Sequence, residues 1–105
     1  MLTPTDIAEY GERHVEKWLT DQGYRCYHGA QRNGIKDLEA RSPDNNMLIH
    51  VLATLEPTPV PELTHTEHDT VCSRAMMLEF DPWLAQVQID RNGDLYSEIV
   101  WTKLK

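Results

Sequence analysis

Gly34-Ile-Lys-Asp-Leu-Glu-Ala-Arg41, Ser42-Pro-Asp-Asn-Asn46 and Met47-Leu-Ile-His-Val-Leu-Ala-Thr54 follow one another without a break. The middle five residues are all turn formers, and the segments on either side alternate apolar with polar or fill with β-branched residues. This pattern predicts an antiparallel hairpin, with strands over Ile35–Arg41 and Met47–Thr54. The two-residue repeat of a strand sends Asp37, Glu39 and Arg41 to one face and Leu38 and Ala40 to the other. In the partner strand Leu48, His50 and Leu52 share one face, while Met47, Ile49, Val51 and Ala53 share the opposite one.

Working outward, Ile7, Ala8, Gly11, Val15, Trp18 and Leu19 recur at helical spacing and predict a helix over Pro4–Gln22. Thr3 is placed to cap it, Pro4 suits its first turn and Gly23 ends it. Tyr24–His28 reads as a short strand, and Gly29–Gly34 as a polar loop. Beyond the hairpin, Pro57, Pro59 and Pro61 force an extended connector. Thr64 and Glu67 have capping-box spacing and open a second helix through Glu79, with Asp81-Pro82 as its stop. Trp83–Asp90 and Leu95–Lys103 flank Asn92-Gly93, a pair that tolerates positive φ and predicts a closing hairpin. The expected order is α-β-β-β-α-β-β, a small α/β domain spanning residues 1–105 with one sheet flanked by two helices.

The 105 residues carry a net charge of −7, spread unevenly. Residues 1–61 hold −3, residues 62–98 hold −6 and the tail from Ile99 holds +2. Tight, unaided binding to nucleic acid normally draws on a basic stripe, because phosphate neutralisation supplies most of the affinity. Here only Arg25, Arg32, Lys36 and Arg41 offer a local basic edge. No apolar run approaches the ~20 residues needed to span a bilayer, so no membrane partner is expected. The start of the chain lacks a signal-peptide pattern, and Cys26 and Cys72 could form one bridge at most. A reduced, cytoplasmic protein is the expectation.

Gly11-Glu12 in the first helix, the Leu19-Thr-Asp-Gln-Gly-Tyr24 exit, Gly34-Ile-Lys-Asp-Leu-Glu39 and Leu48-Ile-His-Val-Leu52 arrive in an order that resembles the PD-(D/E)XK nucleases. That group holds many restriction enzymes and Holliday-junction resolvases. The resemblance implies a restriction endonuclease-like fold with a mixed sheet. It also implies a site built from a helix acid, a strand aspartate and a Glu/Gln-x-Lys on the next strand, where the acids hold Mg²⁺ and the lysine orients water. Glu12 matches the helix acid and Asp37 the strand aspartate. His50 stands where the second strand acid belongs, and Leu52 stands in place of the lysine. Leucine can neither bind phosphate nor orient water. An imidazole suits Mn²⁺ better than Mg²⁺, so a surviving metal site would draw on Asp37, Glu39 and His50.

Three functions follow from this reading. The first is a nuclease-fold protein with a decayed site, acting as a binding module for DNA or for another protein. The second is an active Mg²⁺- or Mn²⁺-dependent DNA endonuclease with a rearranged site; no other cofactor is suggested. The third is a regulatory interaction module or homodimer, whose acidic second half would meet a basic protein surface. Two further patterns have plainer readings. His65, His68 and Cys72 share a helix face and could hold Zn²⁺, but no fourth ligand stands near them in sequence. Trp18, Trp83 and Trp101 are expected in the core.

Overall fold

The structure is a computed structural model that describes residues 2–28 and 37–105. Helix α1 (Pro4–Asp21) begins at a reciprocal capping box in which the Thr3 hydroxyl accepts from the Asp6 N–H and the Asp6 carboxylate accepts from the Thr3 N–H. Strands β1 (Arg25–His28), β2 (Asp37–Arg41) and β3 (Asn46–Leu55) follow. Helix α2 (His65–Leu78) then leads to β4 (Asp81–Ile89) and β5 (Val100–Lys103). The five strands lie in chain order, β1-β2-β3-β4-β5. Only β3 and β4 run parallel, and α2 is the crossover that a parallel pair requires. The mixed sheet between two helices, in the order α-β-β-β-α-β-β, is the architecture the sequence predicts.

The two helices cover opposite faces of the sheet. Val15 and Leu19 of α1 pack on Leu38, Ala40, Met47, Ile49, Ala85, Val87 and Ile89, all buried. These are the alternate residues the hairpin pattern assigns to one face. Gly11 is what lets α1 lie so close, since a Cβ there would sit 2.5 Å from that of Ala53. The other face is thinner. Leu48 packs with Val71 and Ala75 of α2, flanked by Phe80 and Leu104.

Helix α2 ends where expected, at Leu78 with Glu79 as its C-cap, whose left-handed φ of 61° turns the chain back toward the sheet. Asp81-Pro82 lies beyond that end and opens β4, which starts two residues before the expected Trp83. Proline is tolerated here because it lies at the start of its strand, and its carbonyl accepts from the Leu104 N–H. Ile35 and Lys36, expected in the strand, and Gly29–Gly34, expected as a loop, lie outside the described residues. Cys26 and Cys72 are both free thiols, and burial pushes the Cys26 thiol up from its ordinary value. No helix among the described residues is long and apolar enough to cross a membrane.

Candidate functional site

Asp37 pairs directly with His50 across the β2–β3 ladder. Paired residues of an antiparallel ladder point to the same face, and this is the face that α2 covers. The His50 Nδ1–H donates to Asp37 Oδ1 at 3.0 Å. Arg74, from the middle of α2, donates through Nη1 to Asp37 Oδ2. Both carboxylate oxygens are therefore taken, and the Asp37 side chain has no exposed surface. The other ring nitrogen of His50 faces Glu67, with Nε2 3.7 Å from Oε2.

Glu67 does two things at once. Its Oε1 accepts from the Thr64 N–H at 3.0 Å, closing the capping box that starts α2, while Oε2 faces His50. The Thr64 N–H and hydroxyl hold the Glu67 carboxyl below its ordinary value, helped by His50 and opposed by partial burial. The first turn of α2 is thus anchored over His50 and its third turn over Asp37. An Asp–His–Arg–Glu cluster fastens a helix whose apolar contact with the sheet is small.

The remaining sequence candidates are placed elsewhere. Glu39 shares the face of Asp37 but turns to Arg41, 2.8 Å away. The Arg41 guanidinium lies between aromatic rings, 5.6 Å from the Tyr27 centroid and 5.1 Å from that of Phe80. Arg25 is exposed and pairs with Arg41 in the β1–β2 register. Arg32 and Lys36 lie outside the described residues. Glu12 belongs to α1, which packs on the face opposite Asp37 and His50, and among the described residues it makes no hydrogen bond or ion pair with either. Of the three residues expected to gather, Asp37 and His50 meet through a hydrogen bond, and Glu12 shares none with them. Leu52 is half-buried on the His50 face of β3.

Sequence reasoning missed Arg74 and the second role of Glu67. A signal for Arg74 existed. It stands three residues after Val71 and next to Ala75, so it is a cation on the apolar stripe of α2 that needs a buried partner.

A Mg²⁺ or Mn²⁺ ion does not fit these residues. Its expected anchor, Asp37, has both oxygens engaged, Glu39 is committed to Arg41, and the lysine position is apolar. Among the described residues no group of three or more His, Cys, Asp or Glu side chains has metal-holding geometry. On α2, His65 meets Asp69 at 3.2 Å, while His68 Nδ1 lies 3.8 Å from Cys72 Sγ.

No protein-family model matches the chain, and no curated protein matches it. Among solved structures it is similar to Hjc, a Holliday junction resolvase from the archaeal hyperthermophile Archaeoglobus fulgidus. The two agree with a TM-score of 0.73 at 13% identity, over 92% of this chain and 72% of that one. At that identity the likeness speaks for the fold. Together with the observed strand order, it shows that the chain has a restriction endonuclease-like nuclease fold.

Proposed function

We propose that this protein is a nuclease-fold binding module without nuclease chemistry, and that its ligand is nucleic acid. One observation carries the loss of chemistry: the carboxylate of Asp37 is sealed under α2, with one oxygen taken by His50 and the other by Arg74. Metal-assisted hydrolysis needs that carboxylate open to a cation and a water. A guanidinium already supplies the neutralising charge, and an aliphatic Leu52 replaces the lysine that would face the phosphate. The nucleic-acid part is supported by the shared fold and by the exposed Arg25 on edge strand β1. The net charge of −7 makes binding weak and strongly salt-dependent.

Supercoiled plasmid incubated with Mg²⁺ and then with Mn²⁺ is expected to stay intact. Nicking that disappears in Asp37→Ala would overturn this reading in favour of a rearranged active site. Gel shifts with single-stranded, duplex and branched DNA at ~50 mM salt, where electrostatic affinity is large, are expected to retain at least one of the three. Retention of none would remove nucleic acid as the ligand and leave a protein partner.

A further inference from the structure

On the sheet face opposite Asp37, a cleft of about 420 Å³ opens at the end of α1. Its walls include Trp18, Trp83 and Trp101, all three tryptophans of the chain, and its rim includes Gln22, Tyr24 and Asn45. Trp18 leans on Trp101 with ring centroids 4.9 Å apart at 41°, and Trp83 meets Trp101 edge-on at 6.5 Å. The expectation that Trp18 belongs to the core is corrected here. Trp18 is 41% exposed, while neighbouring Leu19 fills the core. An indole exposed to that extent beside two others is costly to leave in water, and three aromatic faces make a stacking surface.

The polar groups narrow the ligand further. The Tyr24 hydroxyl donates to Asn45 Oδ1 at 2.8 Å, which fixes the Asn45 amide at the rim. Trp83 Nε1 and Trp101 Nε1 are buried donors with no partner among the described residues. Among the described residues no acidic or basic side chain lines the cleft. Just outside it, Lys103 is exposed and pairs with Trp83 in the β4–β5 register, so both point from the same face. The cleft therefore offers flat apolar faces, neutral amide edges and one flanking cation.

We infer that this cleft binds an unpaired nucleobase of a single strand, stacked on Trp18, with the adjoining phosphate near Lys103. A base is planar, carries acceptor atoms along its edge and is joined to a single negative charge, which matches each of those features. Trp18, the exposed wall, is the ring free to adjust around it. Stacking is indifferent to overall charge, so it supplies affinity that the acidic surface withholds. The inference rests on the nucleic-acid reading above and assigns that ligand to a face remote from the nuclease-like site.

The test follows tryptophan fluorescence while an oligothymidylate is titrated at ~50 mM salt, with an abasic strand of equal length as the second probe. The oligothymidylate is expected to quench the emission, and the abasic strand, with the same phosphates, is expected to bind at least ~5-fold more weakly. Trp18→Ala is expected to weaken oligothymidylate binding by roughly 5- to 100-fold, the usual worth of one base–aromatic stack, while Trp18→Phe retains most of it. Lys103→Gln is expected to lower the slope of log K against log salt by about 0.7, one single-strand phosphate contact. Circular dichroism confirms that each variant is folded. Equal binding of both probes, or unchanged affinity in folded Trp18→Ala, overturns the base site and leaves the binding-module reading standing. If gel shifts show no DNA bound at all, the nucleic-acid reading itself fails, and the base site with it.

Discussion

The two faces of the sheet are held by different physics. Under α1 nine buried apolar residues interlock, and Gly11 brings the helix backbone almost onto Ala53. Under α2 three buried apolar residues make contact, and a charged cluster joins the helix to β2 and β3. Apolar burial scales with area and is indifferent to which residues provide it. A buried ion pair repays its desolvation only in one geometry, so it contributes more to where α2 sits than to how firmly the fold is held. Asp37 and His50 lie on the second face, where Arg74 from the covering helix takes one oxygen of the Asp37 carboxylate.

The largest expected effect compares neighbouring residues of β3 that point to opposite faces. Ile49 and Leu48 are both fully buried. Ile49→Ala opens a cavity in the interlocked layer and is expected to cost about 3–5 kcal/mol. Leu48→Ala is expected to cost less, about 2–3 kcal/mol, because the few side chains around it and the lightly packed α2 can close over the gap. Urea unfolding measures both. Hydrogen exchange supplies the dynamic counterpart: α2 amides are expected to exchange through openings of lower free energy than those of α1. Equal losses with equal protection would mean that the two faces are one cooperative layer, and the contrast would fail.

Arg74→Ala comes next. It leaves the fully buried Asp37 with only His50 as partner, and an uncompensated buried carboxylate costs about 3 kcal/mol. Asp37→Asn is expected to cost less, since the Arg74 side chain is 31% exposed and can carry its charge to water. A double variant, Asp37→Leu with Arg74→Met, is expected to recover most of the loss in Arg74→Ala, as apolar replacements of buried pairs often do. If the double variant is instead the least stable of the three, the cluster contributes net stability, and the division drawn between the faces is wrong.

Much of this was legible in the chain because strand periodicity leaves little freedom. With Leu38, Ala40, Ile49 and Val51 needing one face, a one-residue slip would bury Glu39 and expose Ile49, so the pattern fixed the face that Asp37 and His50 share, and the structure adds that they are direct partners. The caps Thr3 and Thr64 were legible for a similar reason, since each local signal coincides with the start of an apolar stripe. What could not be read were distances between elements far apart in sequence. Arg74 lies 37 positions from Asp37, and only the crossover geometry of α2 brings them together. Glu12 had the right spacing within its helix, but the face that α1 covers is decided by the whole sheet. Trp18 shares a stripe with Leu19, and which of the two reaches the core depends on where the sheet ends.

The smallest effect tests the link between the α2 cap and the cluster through pH. Glu67 has a folded-state carboxyl below its ordinary value of 4.5, chiefly through the Thr64 N–H, with His50 adding to it. The unfolded chain therefore takes up a proton at a higher pH than the folded one. Stability from this group is fully present above the ordinary value and drains away as pH falls through the depressed folded value. Because the side chain is 41% exposed, solvent screens much of the interaction, and a cap charge of this kind is worth a few tenths to about 1 kcal/mol. Glu67→Gln keeps an oxygen to accept from Thr64 but carries no charge. It is expected to lower stability by that amount at pH 7 and by less at pH 3, because the contribution of the wild-type charge drains away as pH falls. Denaturation curves at the two pH values read the difference directly. A loss that stays constant between them would mean that Glu67 acts through the shape of its cap alone, and that its charge does not couple α2 to His50.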